Sequence, residues 1–148
     1  MAESTITDSN PTNAELYALL SSARTLAIVG ASSNPDRPSN GIMRKLQREG
    51  YRAIPVNPRE SQVLGETAYP SLADIPVPVD IVVVFRRPEY TPAIADEAVA
   101  IKAKALWLQS GIVNAEAAAR ARVGGLTVVM DACIATVHVV LRVPAKAA

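Results

Sequence analysis

The run Val79-Asp80-Ile81-Val82-Val83-Val84-Phe85 constrains the fold more than any other stretch of this chain. It is almost continuously β-branched, with no polar face after Asp80. A strand of that kind is buried on both sides, as in the centre of a parallel sheet covered by helices above and below. Four shorter strand patterns surround it: Leu26 to Val29, Arg52 to Val56, Ala105 to Leu108 and Leu126 to Met130. Helical patterns separate them. Ser39 to Glu49 carries Ile42, Met43 and Leu46 on an inward stripe, with Arg44, Lys45, Gln47 and Arg48 facing water. Strict alternation of strand and helix implies one α/β domain, doubly wound and Rossmann-like, with a mainly parallel five-stranded sheet.

Local signals set the boundaries. Thr12-Asn13-Ala14-Glu15 has the spacing of a capping box, and Leu16, Leu19 and Leu20 follow at helical intervals. Residues 1–11 are therefore expected to form a flexible N-terminal tail, residues 12–143 the domain, and residues 144–148 a C-terminal tail. Pro55 places the second strand at a strand end or sheet edge. Val63 to Gly65 and Ser71 to Ile75 read as single-turn connectors. Thr91-Pro92 predicts an N-cap with proline in the first helical position, and Asn114 caps an alanine-rich helix that stops at Gly124-Gly125. Ala135 to Val143 suits either a last helix or an edge strand, and an exposed edge at the second or last strand leaves room for a homodimer.

Composition excludes several classes of function. Fifteen basic residues against 14 acidic leave a net charge of +1, so no global field favours nucleic acid. One cysteine, Cys133, excludes an internal disulfide and suits a reducing compartment. The polar start of the chain, with Glu3 and Asp8, lacks the apolar core of a signal peptide, and no apolar run approaches the roughly 20 residues that span a bilayer. The expectation is a cytoplasmic protein. A length of 148 residues suffices for one core but not for a cofactor domain plus a separate substrate domain.

In doubly wound sheets ligands sit outside the carboxyl ends of the strands. After the first strand comes Gly30-Ala31-Ser32-Ser33-Asn34-Pro35, a small-residue turn leading into a helix, where unpaired N–H groups and the helix dipole favour phosphate. A G-x-G-x-x-G fingerprint would need glycines where Ser32 and Pro35 stand, so an ordinary NAD site is not expected. After the second strand comes Asn57-Pro58-Arg59, with asparagine where an NAD site has an acid on the ribose. Arg59 suits a phosphate on the adenosine ribose, as in NADP or coenzyme A, or is a solvated surface charge beside a plain turn. Arg86 and Arg87 bring two more positive charges to the same edge, either for a diphosphate or for surface ion pairs. Gln109-Ser110-Gly111 is a polar turn after the fourth strand.

In order along the chain, Ile28 to Ser39, Gly50 to Pro58, Tyr69 to Pro76, Val79 to Arg86, Trp107 to Gly111 and Val128 to Ile134 resemble the small stand-alone CoA-binding proteins. That family is similar in fold to the CoA-binding domain of the succinyl-CoA synthetase α subunit. The resemblance spans Leu16 to His138. It implies that Gly30, Ala31, Ser32 and Ser33 cradle the CoA diphosphate, with Arg37 and Ser39 of the same segment in the site. Asn57 and Pro58 would border the adenosine, Val84, Phe85 and Arg86 line the nucleotide, and Gln109 and Gly111 lie near the pantetheine. Arg59 joins this set on its own chemistry. The chain departs from the family pattern at Ala132, where a basic residue is usual, and at Val137, where a glutamate is usual.

Catalysis finds little support. Cys133 and His138 are the chain's one thiol and one imidazole. Five positions put them about 140° apart on a helix and on opposite faces of a strand, so local geometry builds no dyad. Cys133 is expected to be buried, inert and raised in pKa, and Trp107 to belong to the core. One histidine and one cysteine do not fill a metal shell. The leading expectation is a module that binds CoA or an acyl-CoA without chemistry of its own. The alternatives are an NADP-dependent oxidoreductase and an interaction protein that senses CoA.

Overall fold

Side chains alternate across a strand, and in this chain both sets are apolar. Leu26, Ile28, Ile81, Val83, Ala105 and Trp107 are buried on one side of the sheet. Ala27, Val29, Val82, Val84, Leu106 and Leu108 are buried on the other. Such strands need helices on both faces, and the computed structural model, which describes residues 10–147, supplies them.

The strands are β1 (Thr25–Val29), β2 (Arg52–Val56), β3 (Gln62–Val63), β4 (Glu66–Thr67), β5 (Ile81–Val84), β6 (Ala105–Leu108) and β7 (Thr127–Val129). The helices are α1 (Asn13–Ser22), α2 (Pro38–Arg48), α3 (Thr91–Ala100), α4 (Ala115–Val123) and α5 (Ile134–Val140). The main sheet has five strands in the order β2-β1-β5-β6-β7. All four pairings are parallel, with Leu26 opposite both Ala53 and Ile81. Residues of α1, α2 and α5 (Leu20, Met43, Leu46, Ile134) pack on one face. Residues of α3 and α4 (Ile94, Ala95, Ala98, Ala117, Ala121) pack on the other. This is the doubly wound Rossmann-like domain expected from the alternation. The chain winds from β1 to β2 on one side and then crosses to β5 on the other, so the order switches between β1 and β5.

Several local expectations hold. Thr12 and Glu15 form a reciprocal capping box on α1. Asn114 caps α4, its Oδ1 accepting from the Ala117 amide at 2.8 Å. Pro55 lies in β2, which is an edge strand. Trp107 is fully buried, and its indole N–H donates to the Ala132 carbonyl at 2.8 Å. Residues 134–140 settle as a helix, with Ile134, Ala135 and His138 facing inward.

Other details differ. The expected turn at Val63 to Gly65 is the tip of a two-stranded antiparallel hairpin, in which Gln62 faces Thr67 and Val63 faces Glu66. Thr91 is the first residue of α3 rather than its cap. A 3-10 turn over Pro88–Tyr90 leads straight into the helix, and the Thr91 hydroxyl donates to the Pro88 carbonyl at 2.6 Å. Of the expected N-terminal tail, residues 1–9 lie outside the described residues. Asn10 pairs both ways with Met130, donating to its carbonyl at 2.8 Å and accepting from its amide at 2.7 Å. At the other end the Lys146 amide donates to the Glu49 carbonyl at 2.7 Å. Among the described residues no helix is long and apolar enough to cross a membrane.

Candidate functional site

The switch between β1 and β5 opens a crevice at the carboxyl ends of the strands, where ligands of such folds bind. A cavity of about 670 Å³ occupies it. Gly30, Ser32, Arg37, Ser39, Asn57, Pro58, Arg59, Phe85 and Arg86, all expected from the sequence, line it together with Pro38, Val56 and Glu60.

Backbone contacts shape its floor. The Gly30 amide donates to the Val56 carbonyl at 3.0 Å, and the Phe85 amide to the Val29 carbonyl at 2.8 Å, so three strand ends are held level. Gly30 has φ +89°, and a Cβ on it would stand 3.0 Å from the Phe85 carbonyl oxygen and 3.3 Å from Arg86 Cδ. Only glycine meets both conditions.

Side-chain amides shape the walls. Asn57 Nδ2 donates to the Ala31 carbonyl at 2.8 Å, while its Oδ1 accepts from the Arg59 amide at 2.9 Å. The expected turn at Asn57-Pro58 is therefore real, and it also ties the second loop to the first. Asn40, only 2 % exposed, donates to the Ser32 carbonyl at 2.9 Å and accepts from Arg44 at 2.8 Å. Sequence reasoning missed Asn40. Its signal was a polar residue on the inward stripe, one turn before Met43.

Charge in the cavity is uneven. Three of its lining residues are arginines, Arg37, Arg59 and Arg86, and one, Glu60, is an acid. Among the described residues none of the three arginines makes an ion pair. Arg86 lies over the Tyr90 ring, 4.5 Å from its centroid, which fixes the guanidinium at the rim. Helix α2 begins here with Arg37 as cap and Pro38 first. No side chain caps it, and its first turn holds no acid. An uncapped helix start beside three arginines attracts an anion.

The remaining expected residues stand apart from the cavity lining. Ala31 is fully buried, so only its backbone is available. Both donors of Ser33 are engaged by Glu60 Oε2, the amide at 2.9 Å and the hydroxyl at 3.0 Å. Gln109 is 4 % exposed, and its Oε1 accepts from the Ile134 amide at 3.0 Å. The Gly111 amide donates to Asp131 Oδ1 at 2.7 Å. Gln109 and Gly111 thus join the loops after β6 and β7 to each other.

Cys133 corrects an expectation. It is half-buried rather than buried. Burial pushes its thiol up, but hydrogen bonds from Thr136, Ala135 and Gln109 outweigh that and hold the pKa below its ordinary value. His138 lies inside the helix-covered core, its ring edge-on to Tyr51 with centroids 5.8 Å apart. Among the described residues no cluster of three or more His, Cys, Asp or Glu could hold a metal ion.

Known proteins share this sequence and fold. The uncharacterized protein YneT of Bacillus subtilis is 42 % identical over 133 residues, covering 90 % of this chain and 98 % of that protein. A solved structure of a hypothetical protein from Pyrococcus horikoshii superposes with a TM-score of 0.87 at 35 % identity, covering 89 % of this chain and 93 % of that one. An ADP-forming acetate–CoA ligase II of Archaeoglobus fulgidus is 30 % identical over 76 residues, which is 50 % of this chain but only 11 % of the ligase. The model of the CoA binding domain matches residues 24–139, most of the chain, from the start of β1 through the last helix, and the chain therefore belongs to the CoA-binding domain family.

Proposed function

We propose that this protein binds coenzyme A or an acyl-CoA in the cavity at the β1–β5 switch and performs no chemistry of its own. The observation that carries the reading is the meeting of an uncapped helix start with Arg37, Arg59 and Arg86 in one cavity. CoA carries a diphosphate and a separate ribose phosphate, so its anionic groups need more than one cation. Gly30, Ser32 and Ser39 would receive the diphosphate at the start of α2. Asn57, Pro58 and Arg59 would hold the adenosine end, with Arg59 on the ribose phosphate, and Phe85 and Arg86 would cover the nucleotide.

The test is calorimetric titration with CoA, dephospho-CoA, NADP and NAD. CoA is expected to bind more tightly than the nicotinamide cofactors. Arg59→Ala should weaken CoA about tenfold, the worth of one charge-assisted hydrogen bond, and dephospho-CoA much less. NADP binding as tightly as CoA would replace this reading with the oxidoreductase one. Equal losses for CoA and dephospho-CoA would move Arg59 to the diphosphate.

A further inference from the structure

Glu60 is the acid in a cavity otherwise charged by arginines, and among the described residues it forms no ion pair with them. Its Oε2 instead takes the Ser33 amide and hydroxyl, at 2.9 and 3.0 Å. Those two donors lie on the turn that leads into α2. The same turn is also braced from within: Asn34 donates through its amide to Ser32 Oγ at 3.0 Å, and Asp36 through its amide to Asn34 Oδ1 at 2.9 Å. Among the described residues, neither the Ala31 nor the Ser32 amide donates to a backbone carbonyl. The turn therefore has donors to spare at Ala31 and Ser32, while at Ser33 a carboxylate already fills the place of an anion.

Glu60 can leave that place without unfolding the domain. Its own backbone is held by the Asn57 turn, its amide donating a hydrogen bond to the Asn57 carbonyl at 3.2 Å. Its side chain is half-buried at the cavity wall rather than in the core. A carboxylate beside a diphosphate is repelled, and the repulsion is greater in a walled crevice than in open water.

We infer that Glu60 is an internal latch: its carboxylate occupies the Ser33 donors beside the cavity and must swing out before a diphosphate can bind on this turn. The latch rests on the proposed site for CoA, but it concerns any ligand that places a diphosphate on this turn. It lowers the affinity of every ligand that must displace it by the same factor, and a ligand that also engages Arg59 and Phe85 still binds more tightly than a small anion. It also holds the turn in shape.

The experiment compares the full chain with Glu60→Gln, which keeps size and removes charge, and with Glu60→Ala, which removes the latch. Binding is measured by calorimetry with CoA and with inorganic pyrophosphate, and Ser33 amide exchange is followed by NMR. In both variants the dissociation constants for pyrophosphate and for CoA are expected to fall by a similar factor, about fivefold, a change of roughly 1 kcal/mol at about 1.4 kcal/mol per decade. Ser33 exchange should quicken in Glu60→Ala. Unchanged or weaker binding of both ligands in Glu60→Gln would overturn the latch and make Glu60 a bystander or a ligand contact. If CoA binds none of the three proteins while pyrophosphate binding tightens in the variants, the latch stands and the CoA reading fails. If CoA binds all three proteins alike, the CoA reading stands and the latch fails.

Discussion

The two ends of one parallel sheet are built to different rules. At the amino ends of β1, β5 and β6, Asp80 stitches the strands together. Its Oδ2 accepts from the Arg24 and Thr25 amides at 2.8 and 3.0 Å, and its Oδ1 lies 3.5 Å from Lys104 Nζ. Its backbone carbonyl also accepts from the Lys104 and Ala105 amides. Nearby, Lys146 donates through Nζ to the Ser21 carbonyl at 2.7 Å and lies 4.8 Å from the centre of the Tyr51 ring. At the carboxyl ends, by contrast, arginines line a cavity without carboxylate partners among the described residues, and a helix starts without a side-chain cap. Charges paired within the protein stabilise the fold; charges left facing a crevice are available to a ligand. Stability and binding should therefore respond to different substitutions.

Gly30→Val is the largest test, because Gly30 is where the two demands coincide. The substitution puts a β-branched residue at φ +89° and its Cβ against the Phe85 carbonyl. Strain of that kind costs about 1–3 kcal/mol. CoA binding should be lost, and urea denaturation should show a stability loss of about 2 kcal/mol or more. A stable variant with normal CoA affinity would remove this turn from both roles.

Asp80→Ala probes the other end alone. Burial by itself would raise the Asp80 carboxyl, but the Thr25 and Arg24 amides and Lys104 together hold its pKa below the ordinary value. A depressed carboxylate adds stability that is present above its unfolded pKa and lost as pH falls through its folded one. A hydrogen bond to a charged group is worth about 1.5–3 kcal/mol, less for a side chain that keeps some contact with water. The expected loss is about 1–2 kcal/mol at neutral pH in urea denaturation, with the CoA dissociation constant unchanged within about twofold. A tenfold change in CoA affinity would break the division between the two ends.

How far the sequence shows this division depends on the range of the interactions. Strands β2 and β6 match the expected Arg52 to Val56 and Ala105 to Leu108 at every residue, because short apolar runs bounded by turns are local signals. Pro55 at an edge and Asn114 at a cap are local in the same way. Glu60 was invisible because its role depends on a contact 27 positions back in the chain. The hairpin that follows it was missed as well. Its strands are two residues each, and its turn rests on positive φ at Leu64 and Gly65, a leucine being a poor signal for that conformation. Asn10 and Lys146 lay in segments expected to be tails, and what fastens them is bonded across 120 and 125 positions. Strand identity is a short-range property; the fastening of loops and ends is not.

The smallest expected effect is a pH dependence of stability that leaves the cavity untouched. His138 is the chain's one histidine and is 2 % exposed. Among the described residues its Nε2 has no hydrogen-bond partner. Burial holds its pKa below the ordinary 6.5, with Glu49 pulling it up and Lys45 and Lys146 pushing it down. The neighbouring Tyr51 is pushed up to about 12, by burial and then by Glu49, and its hydroxyl donates to the Leu20 carbonyl at 2.5 Å. Both rings are thus neutral in the folded protein at pH 7. Below pH 6.5 the unfolded chain takes up a proton at His138 that the folded one resists. Stability is therefore full above 6.5 and declines as pH falls toward the lower folded value. Carboxylates contribute little in this window, since their unfolded pKa values lie near 4. The melting temperature should fall by a few degrees between pH 7.5 and 5.5 in the wild type and less in His138→Leu, whose side chain needs no proton partner. Parallel declines in the two proteins would assign the effect elsewhere. Because His138 packs against Tyr51 and not against the cavity, CoA affinity at pH 7.5 should be the same in both.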